Sequence, residues 1–392
     1  MELIFNAEAL RPPVTGVGHY TYHLLEQFLQ MEDVDVVHCF SGGSWRDGET
    51  QLAISAGQMA QEQVDTGSAS EFVQKVRSAI GGIPGSRLLY RRIADARFAR
   101  QANKLSGAVY HETNFVLKPY AGPSVVTVHD LSHIRHPEFH QKRHVQLLDL
   151  ELPRSIARAD HVVVDSHVVR EELLDHFDLP AQRVSAVYAG CDERYRPRQE
   201  GDCASVLGPL GLDYGKYVLM VATLEPRKGI DTLLTAWQAL PPALREEYTL
   251  VLAGSSGWRN EEVMRTLEAM IAAGGVQYLG YADTDILPRL FSGAAVFAYP
   301  SVYEGFGLPV LDAMASGVPV VCRQGTSMAE FSRGTCVLCE SGEAGELATR
   351  LAALLEDAGM REQVARRQQS VAAEFSWRRC AEELVAIYRQ LL

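Results

Sequence analysis

The amino-acid sequence predicts an α/β fold with two domains, on three observations. Short apolar segments typical of buried strands alternate with longer segments of helical periodicity along the chain. The 392 residues, 47% of them hydrophobic, are enough to form two cores of ordinary size. A polar segment around Pro197, RYRPRQEGD, has the composition of an exposed linker and separates the two halves.

The first half begins with a strand at Glu2–Asn6, a loop that contains Gly16 and Gly18, and a helix at about residues 19–30. A strand, a glycine turn and a helix form one half of a nucleotide-binding fold, although an isolated Gly-x-Gly more often marks a tight turn. The alternation continues with strands expected at residues 34–40, 124–129, 161–166 and 183–188 and a helix at residues 168–177.

The strand at residues 124–129 ends in His129, which is followed by Asp130. Ligands bind at the carboxyl ends of strands in α/β sheets, so this position favours a binding role for His129. A lone histidine is nevertheless more often a structural hydrogen-bond donor. Four further histidines follow without the spacing of a metal site: His133, His136, His140 and His144.

The second half begins with a strand at Tyr217–Val221, followed by Arg227 and Lys228 in the sequence EPRKG and by a helix through Trp237. Two adjacent cations between a strand and a helix suit a pyrophosphate, whereas an isolated basic pair more often belongs to an ordinary loop. Further strands are expected at residues 248–254 and 276–280.

A second glycine-containing loop follows a buried strand later in this half. The apolar run at residues 294–298 predicts the strand, and in the loop Gly305 and Gly307 flank Phe306. Residues 309–316 then predict a helix, with a proline suited to its first turn. The backbone NH groups at the start of such a helix suit a phosphate or another anion.

Two carboxylates, Glu304 and Asp312, flank this predicted anion site eight residues apart. They are consistent with it if the ligand also carries hydroxyl groups, because carboxylates accept hydrogen bonds from the hydroxyls of a sugar or ribose. The alternative is a buried helix N-terminus whose two carboxylates are merely solvated.

Composition restricts the class of protein. No segment has the pattern of a signal peptide and no apolar run has the length of a membrane span, so we expect a cytoplasmic protein. Seven scattered cysteines fit reduced thiols, and Cys336 with Cys339 is more typical of core packing than of a zinc or redox site. The formal net charge of -12 argues against nucleic-acid partners.

Residues 71–104 have the opposite charge to the rest of the chain. They carry eight basic and two acidic residues, a net charge of 8 - 2 = +6, interleaved with apolar side chains. A basic, apolar-studded pair of helices can lie on the inner face of an anionic membrane or hold a lipid-pyrophosphate acceptor. The alternative is a solvated helix face above the core.

The sequence EGFGLPVLDAMASGVPVV, with EPRKG and VVTVHDL, resembles the retaining, nucleotide-sugar-dependent glycosyltransferases of family 4, in particular mannosyltransferase-like members that assemble polysaccharides. The resemblance implies the GT-B fold: two Rossmann-like domains that face each other across a cleft. It places an acceptor-side domain at 1–195, a nucleotide-sugar-binding domain at 196–375, and at 376–392 a helix that crosses back to the first domain.

The resemblance also implies roles for individual residues. The four implied catalytic residues are His129, Arg227, Lys228 and Glu304. The implied donor-binding residues are Gly16, Gly18, Arg227, Lys228, Glu304, Gly305, Phe306, Gly307, Leu308 and Asp312. The implied acceptor-side residues are His111, Asn114 and Asp130. Asp312 departs from the family pattern, which has Glu at this position and uses it to bind the ribose.

Asp283 and Asp285 form a D-x-D sequence, which is the metal site of another large class of glycosyltransferases. Here they precede a helix expected to begin near Ile286, so capping of that helix explains them better. Because Arg227 and Lys228 can neutralise a diphosphate, we expect no metal and no other cofactor.

The function implied by the resemblance is the transfer of mannose or a related deoxyhexose with retention of configuration. We expect a GDP-linked donor, with UDP donors still open, and a saccharide or polyprenyl-linked acceptor in the synthesis of a surface polysaccharide such as lipopolysaccharide. Two alternatives are a nucleotide-sugar epimerase on the same fold and a non-catalytic two-domain sugar-binding protein.

Overall fold

The computed structural model describes residues 1–12, 14–62, 86–258 and 260–392. They form two α/β domains, each built on one sheet. This architecture confirms the fold class expected from the sequence.

The first sheet has the strand order β3-β2-β1-β4-β5-β6-β7, and all neighbours are parallel except β2 and β3. Its strands are β1 (Glu2–Asn6), β2 (Val36–Ser41), β3 (Ser44–Asp47), β4 (Val109–Glu112), β5 (Ser124–Val128), β6 (His161–Val164) and β7 (Val184–Ala186). The helices of this domain are α1 (Gly16–Phe28), α2 (Gly48–Glu62), α3 (Ser86–Ala102), α4 (Ser132–Arg135), α5 (Lys142–Arg158) and α6 (His167–Phe177).

The second sheet is parallel throughout and has the order β10-β9-β8-β11-β12-β13. Its strands are β8 (Tyr217–Val221), β9 (Thr249–Ala253), β10 (Val276–Tyr278), β11 (Val296–Tyr299), β12 (Val320–Arg323) and β13 (Val337–Cys339). The remaining helices are α7 (Glu200–Leu207), α8 (Ile230–Ala239), α9 (Pro242–Glu247), α10 (Glu261–Ala273), α11 (Leu287–Ser292), α12 (Leu308–Ala315), α13 (Ser327–Phe331), α14 (Ala344–Glu356), α15 (Ala358–Ala372) and α16 (Trp377–Leu391).

Helices cover both faces of the first sheet. On one face, Phe98 of α3, Leu152 of α5 and Val169 of α6 share a core with alternate residues of the strands. On the other face, Phe28 of α1 packs against Tyr388 of α16, with ring centroids 5.9 Å apart. The C-terminal helix therefore does cross back to the first domain, as expected from the sequence.

Some boundaries differ from the sequence-based expectations. Helix α1 begins at Gly16 rather than near residue 19, and β2 lies slightly later than residues 34–40. Helix α7 begins inside the segment interpreted as a linker, because Gln199 and Asp202 form a capping box at its start. The sheets occupy residues 2–186 and 217–339, while the exact domain limits, 1–195, 196–375 and 376–392, stay a prediction.

Candidate active site

The glycine loop, residues 300–307, joins β11 to α12 and is shaped by two constraints. Gly307 has a φ of +106°, a left-handed backbone that glycine adopts without strain. A Cβ on Gly305 would lie 1.8 Å from the carbonyl oxygen of His129 in the other domain, so the backbones meet at this point. The loop ends where Leu308 begins α12, whose positive dipole end therefore lies at the loop.

Phe306 anchors the glycine loop between the two domains. Its ring is 5% exposed and stacks on Phe331 of α13 with centroids 4.6 Å apart. The ring of Tyr188, which follows β7 of the first domain, lies 6.0 Å away. This packing fixes the backbone of the loop and leaves the Phe306 side chain little surface for a ligand.

Glu304 of the glycine loop lies at the centre of a charged cluster. Its carboxylate accepts hydrogen bonds from Lys228 Nζ at 2.6 Å, Ser301 Oγ at 2.7 Å and Arg227 Nη1 at 3.4 Å. Burial alone would raise the pKa of Glu304, but the two cations and the hydrogen bonds from Lys228 and Ser301 hold it below its ordinary value. The carboxylate is therefore ionised at neutral pH.

The two cations come from the turn that follows β8. Residues Pro226–Lys228 form a single 3₁₀ turn, and a Cβ on Gly229 would lie 2.5 Å from the carbonyl oxygen of Pro300, so this turn and the glycine loop are in close contact. Lys228 Nζ also donates to Tyr299 Oη at 3.1 Å. The cations are thus fixed beside Glu304 by backbone packing.

Arg227 is shared among carboxylates of both domains. Its guanidinium contacts Glu225 at 2.9 Å, Glu304 at 3.4 Å and Asp130 of the first domain at 3.9 Å. Burial lowers the pKa of Arg227, but these three carboxylates outweigh burial and raise it above its ordinary value. The cluster therefore spans the interface between the domains.

His129, at the end of β5, is held by both ring nitrogens. Nδ1 lies 2.7 Å from Asp165 Oδ2 and Nε2 lies 2.8 Å from the carbonyl oxygen of Thr113. Burial lowers the pKa of His129, but Asp165, the bond to Thr113 and the charge of Asp130 raise it above its ordinary value. Sequence analysis did not find Asp165, although it directly follows β6 and the strand-end rule applied to His129 also covers it.

The three residues expected on the acceptor side occupy different environments. Asp130 is partly exposed and accepts hydrogen bonds from the backbone N and Oγ of Ser132, and Asn114 is exposed beyond the end of β4. His111 has no exposed surface, and its ring nitrogens contact Thr127 Oγ1 and Tyr388 Oη at 2.8 and 2.7 Å. The structure therefore places His111 in the core between β4 and α16, not at the cleft.

Gly16 and Gly18 both lie in the first turns of α1, where their roles differ. A Cβ on Gly18 would lie 2.7 Å from the carbonyl oxygen of Ala9, so this glycine lets the helix approach the preceding turn. A Cβ on Gly16 would meet no atom within 4 Å. Of the two glycines, Gly16 alone has open space beside it for a ligand.

Asp312 lies one helical turn inside α12, separate from the charged cluster. Its nearest polar partner is Cys191 Sγ at 3.7 Å, in the connection between the domains. Burial, and then the charge of Asp192, raise the pKa of Asp312 well above its ordinary value. Asp312 therefore does not share the two cations with Glu304.

A cavity of about 600 Å³ opens beyond Cys191, between α1, the connection and the start of α16. Its lining includes His19, His23, Asp192, Arg194 and Trp377. Neither cation of the charged cluster lines it, and Cys191, which contacts Asp312, is the link between this cavity and α12.

Several contacts hold the domains together around the cluster. Glu330 of α13 accepts hydrogen bonds from the backbone N of His167 and of Val168, at 2.8 and 2.7 Å, and thereby caps α6 of the other domain. Tyr303 Oη accepts a hydrogen bond from the backbone N of Leu131 at 3.1 Å. The structure is therefore closed around the site.

The side chains of Asp283 and Asp285 in the D-x-D sequence do not cap helix α11 as expected. The backbone carbonyl oxygen of Asp283, not its side chain, accepts hydrogen bonds from the first residues of α11, and no side chain caps that helix. Asp285 Oδ1 lies 3.6 Å from Arg194 Nη1. The prediction that these aspartates cap the helix with their side chains is therefore wrong. Ile286 occupies the N-cap position instead and already has helical backbone angles. Among the described residues, no group of three His, Cys, Asp or Glu side chains could hold a metal ion.

Comparison with known proteins finds glycosyltransferases over both domains. Residues 14–195 match the family model described as Glycosyltransferase Family 4, and residues 211–371 match that described as Glycosyl transferases group 1. O-antigen chain mannosyltransferase B of Escherichia coli is 31% identical over 391 residues, which cover 100% of both chains. D-inositol 3-phosphate glycosyltransferase of Salinispora tropica is 35% identical over 59% of this chain and 51% of the relative.

Solved structures share the fold over the full chain. The structure of Anabaena Alr3699/HepE in complex with UDP and glucose has a TM-score of 0.72 at 18% identity and covers 100% of both chains. Sucrose-phosphate synthase from Thermosynechococcus elongatus has a TM-score of 0.72 at 20% identity, with coverage of 100% and 99%. Two facing parallel-sheet domains, a returning C-terminal helix and a full-length relative lead to one conclusion: the chain belongs to the family 4 glycosyltransferases of the GT-B fold.

Proposed function

We propose that this glycosyltransferase moves mannose or a related deoxyhexose from a GDP-linked donor to a saccharide or polyprenyl-linked saccharide, with retention of configuration and without a metal. The observation that carries the proposal is the contact of Arg227 and Lys228 with Glu304 at the start of α12. The choice of mannose is supported by the full-length relative, an O-antigen chain mannosyltransferase.

The donor diphosphate replaces Glu304 as the partner of the two cations. Lys228 Nζ is 2.6 Å from the Glu304 carboxylate, so phosphate oxygens entering beside α12 compete for the same ammonium group. Once displaced from the cations, the ionised Glu304 carboxylate accepts hydrogen bonds from hydroxyl groups of the donor sugar. The same cluster thus binds both parts of a nucleotide sugar.

The cations then stabilise the leaving diphosphate. Negative charge grows on the diphosphate as the glycosidic bond breaks, and preorganised cations stabilise that charge more in the transition state than in the ground state. Since Glu304 serves the sugar hydroxyls, we assign no covalent nucleophile. The acceptor attacks the ion-pair-like state from the face that the diphosphate leaves, which retains configuration.

The acceptor occupies the first-domain side of the cleft, beside Asp130 and Asn114. Asp130 already lies 3.9 Å from Arg227, so an acceptor hydroxyl near it is also near the departing diphosphate.

We extend the proposal to the inner face of a membrane, where a polyprenyl-linked acceptor resides. The described part of the basic segment includes α3, whose Ile93 is 46% exposed, while residues 71–85 lie outside the described residues.

The test is incubation with GDP-mannose, GDP-fucose, UDP-glucose and UDP-galactose, each with and without mannose-terminated oligosaccharide acceptors. Acceptor-dependent release of GDP, with an α-linked product by NMR from the α-linked GDP-mannose, supports the proposal. Transfer from a UDP-sugar alone would overturn the GDP assignment, and an isomerised nucleotide sugar without acceptor would indicate the epimerase instead.

Metal independence is tested in the same assay. We expect full activity in excess EDTA, because Arg227 and Lys228 neutralise the diphosphate, and we expect Asp283→Ala to remain active. Loss of activity that magnesium restores would contradict the assignment of these cations.

A further inference from the structure

The ring of His129 links three strand ends of the first domain. It follows β5, its Nε2 contacts the carbonyl oxygen of Thr113 beyond β4, and its Nδ1 contacts the Asp165 carboxylate beyond β6. The two distances are 2.8 and 2.7 Å, which are normal lengths for hydrogen bonds donated by the ring. With 9% of its surface exposed, His129 is almost completely enclosed.

Both partners of the ring are acceptors. A carbonyl oxygen can only accept, so Nε2 must donate to Thr113, and an ionised carboxylate can only accept, so Nδ1 must donate to Asp165. A histidine that donates from both nitrogens is the positively charged imidazolium. Neither nitrogen is then free to take a proton from, or give one to, a substrate.

The groups that face the His129–Asp165 pair are few. The rings of Tyr20 and Phe115 meet the His129 ring edge to face, with centroids 5.0 and 6.0 Å from its own. The neutral His111 imidazole and the Cys380 thiol are close enough to interact electrostatically with the pair. A further charged neighbour is Asp130, which is itself paired with Arg227. Asp165 is therefore the carboxylate that chiefly balances the charge of His129.

The buried pair of His129 and Asp165 contributes little to the stability of the strand ends that it joins. Asp165 Oδ1 is buried without a hydrogen-bond partner in the described structure, and buried ion pairs contribute little net stability because both charges lose their water. Its location suggests a different use. The backbone carbonyl oxygen of His129 touches Gly305, so His129 adjoins the loop that carries Glu304.

We propose that Asp165 is a positioning residue that keeps His129 doubly protonated, so that His129 serves the site as a fixed positive charge rather than as a proton donor or acceptor. The fixed charge lies beside the sugar and diphosphate end of the donor, together with the two cations of the second domain. This inference rests on the proposed donor site, but the protonation of the ring does not.

The first measurement is therefore independent of activity. In enzyme labelled with ¹⁵N-histidine, the His129 signals are identified by their absence in His129→Gln. We expect imidazolium shifts for His129 at pH 7.5 in the wild type and neutral-ring shifts in Asp165→Asn, with a midpoint lowered by at least about one pH unit. Asp175→Asn, an exposed change on α6, is the control and should leave the midpoint unchanged. A neutral ring in the wild type at pH 7.5 would overturn the proposal.

The second measurement tests whether Asp165 acts through the ring. For Asp165→Asn we expect kcat to fall about tenfold at pH 7.5 and to recover as the pH is lowered, because a shift of one pH unit changes the charged fraction by up to tenfold. Asp165→Asn combined with His129→Gln should be no less active than His129→Gln alone, within about twofold. Additive losses, or a lower melting temperature with an unchanged pH profile, would show a merely structural role and overturn the proposal.

Discussion

At the scale of single residues, the central feature is the charge cluster of Glu304, Lys228 and Arg227. All three were expected from the sequence, and the structure brings both cations within hydrogen-bond distance of Glu304. The spacing of the motifs fixed which residues to consider, but it did not show that the cations are already paired with Glu304. That pairing depends on the contact between Gly229 and Pro300, which local sequence patterns do not describe.

Removing the cation that contacts Glu304 most closely should damage the chemical step. For Lys228→Ala we expect kcat to fall about a hundredfold, since a preorganised charge is worth about 3 kcal/mol in a transition state. The measurement is steady-state kinetics at saturating donor. Lys216→Ala is a matched control, because Lys216 has an equally short ion pair, with Glu247 at 2.6 Å, on the surface of the same domain. An unchanged kcat in Lys228→Ala would remove this residue from the mechanism.

The two carboxylates of the glycine loop and α12 should have separable effects. Glu304→Ala should lower kcat, because it contacts the reacting sugar in our proposal. Asp312→Ala should chiefly raise the donor KM, because ribose contacts are similar in the ground and transition states. Asp312→Glu restores the length found in the family and should lower the KM for the donor. The reverse pattern, with kcat abolished only by Asp312→Ala, would require the donor to lie differently in the cleft.

The raised pKa of Asp312 also predicts a pH dependence of stability. Burial and the charge of Asp192 raise this pKa in the folded state, so above the ordinary pKa of an aspartate the unfolded chain loses its proton first. The carboxyl therefore destabilises the fold as the pH rises from about 4 towards neutrality. Asp312→Asn should raise the melting temperature at pH 7.5 and have less effect at pH 4. Equal shifts at both pH values, measured by calorimetry, would argue against the raised pKa.

At the scale of secondary structure, strands with continuous apolar sequence were predictable, whereas some polar elements were missed. The bounds of β1 and β8 match the expected ones, because both contain a central run of buried apolar residues. Helix α7 was missed because its capping residues have the same polar composition as a linker. The edge strand β3, SWRD, has little buried surface and so no hydrophobic pattern from which to predict it.

Helix α6 is held by a cap that comes from the other domain. Glu330 accepts hydrogen bonds from two backbone NH groups of α6 and from Tyr188 Oη. We expect Glu330→Ala to weaken the closed arrangement by about 2 kcal/mol, the usual size of a charge-assisted hydrogen bond. Small-angle X-ray scattering should show a larger radius of gyration for this variant. Glu362→Ala, an exposed change on α15, should leave it unchanged. Identical scattering from all three proteins would show that the cap does not control closure.

At the scale of the whole molecule, one face of the first domain carries exposed apolar and basic side chains although the chain as a whole is acidic. The chain has a formal net charge of -12. Helices α3 and α5 cover the same face of the first sheet, and their side chains Ile93, Leu147 and Leu150 are 43–49% exposed. Basic residues accompany them, including Arg97 of α3 and Arg154 of α5. Within the described ranges, no helix is both long enough and apolar enough to cross a bilayer.

This face should bind anionic membranes peripherally. We expect co-sedimentation with vesicles that contain phosphatidylglycerol, weakened by salt and absent with phosphatidylcholine alone. Leu147→Ser combined with Leu150→Ser should weaken vesicle binding by about thirtyfold, because exposed leucines contribute about 1 kcal/mol each when buried in lipid. Ile271→Ser, at an equally exposed position on α10 of the other domain, is the control. Binding that is unaffected by the leucine changes would assign membrane contact to another surface.

The contact of Gly305 with the carbonyl oxygen of His129 has a consequence for donor binding. Closure of the two domains and binding of the donor compete for the same space. If the donor sugar lies at this point, as the proposed donor site requires, the two backbones must part before it can bind. The apparent dissociation constant for the donor is then the intrinsic constant divided by the open fraction. Substitutions that favour opening would tighten donor capture, and they would also leave the departing diphosphate more exposed to water. The equilibrium between the open and closed domains therefore has two opposite effects. Opening increases the affinity for the donor, and it decreases the protection of the donor against hydrolysis.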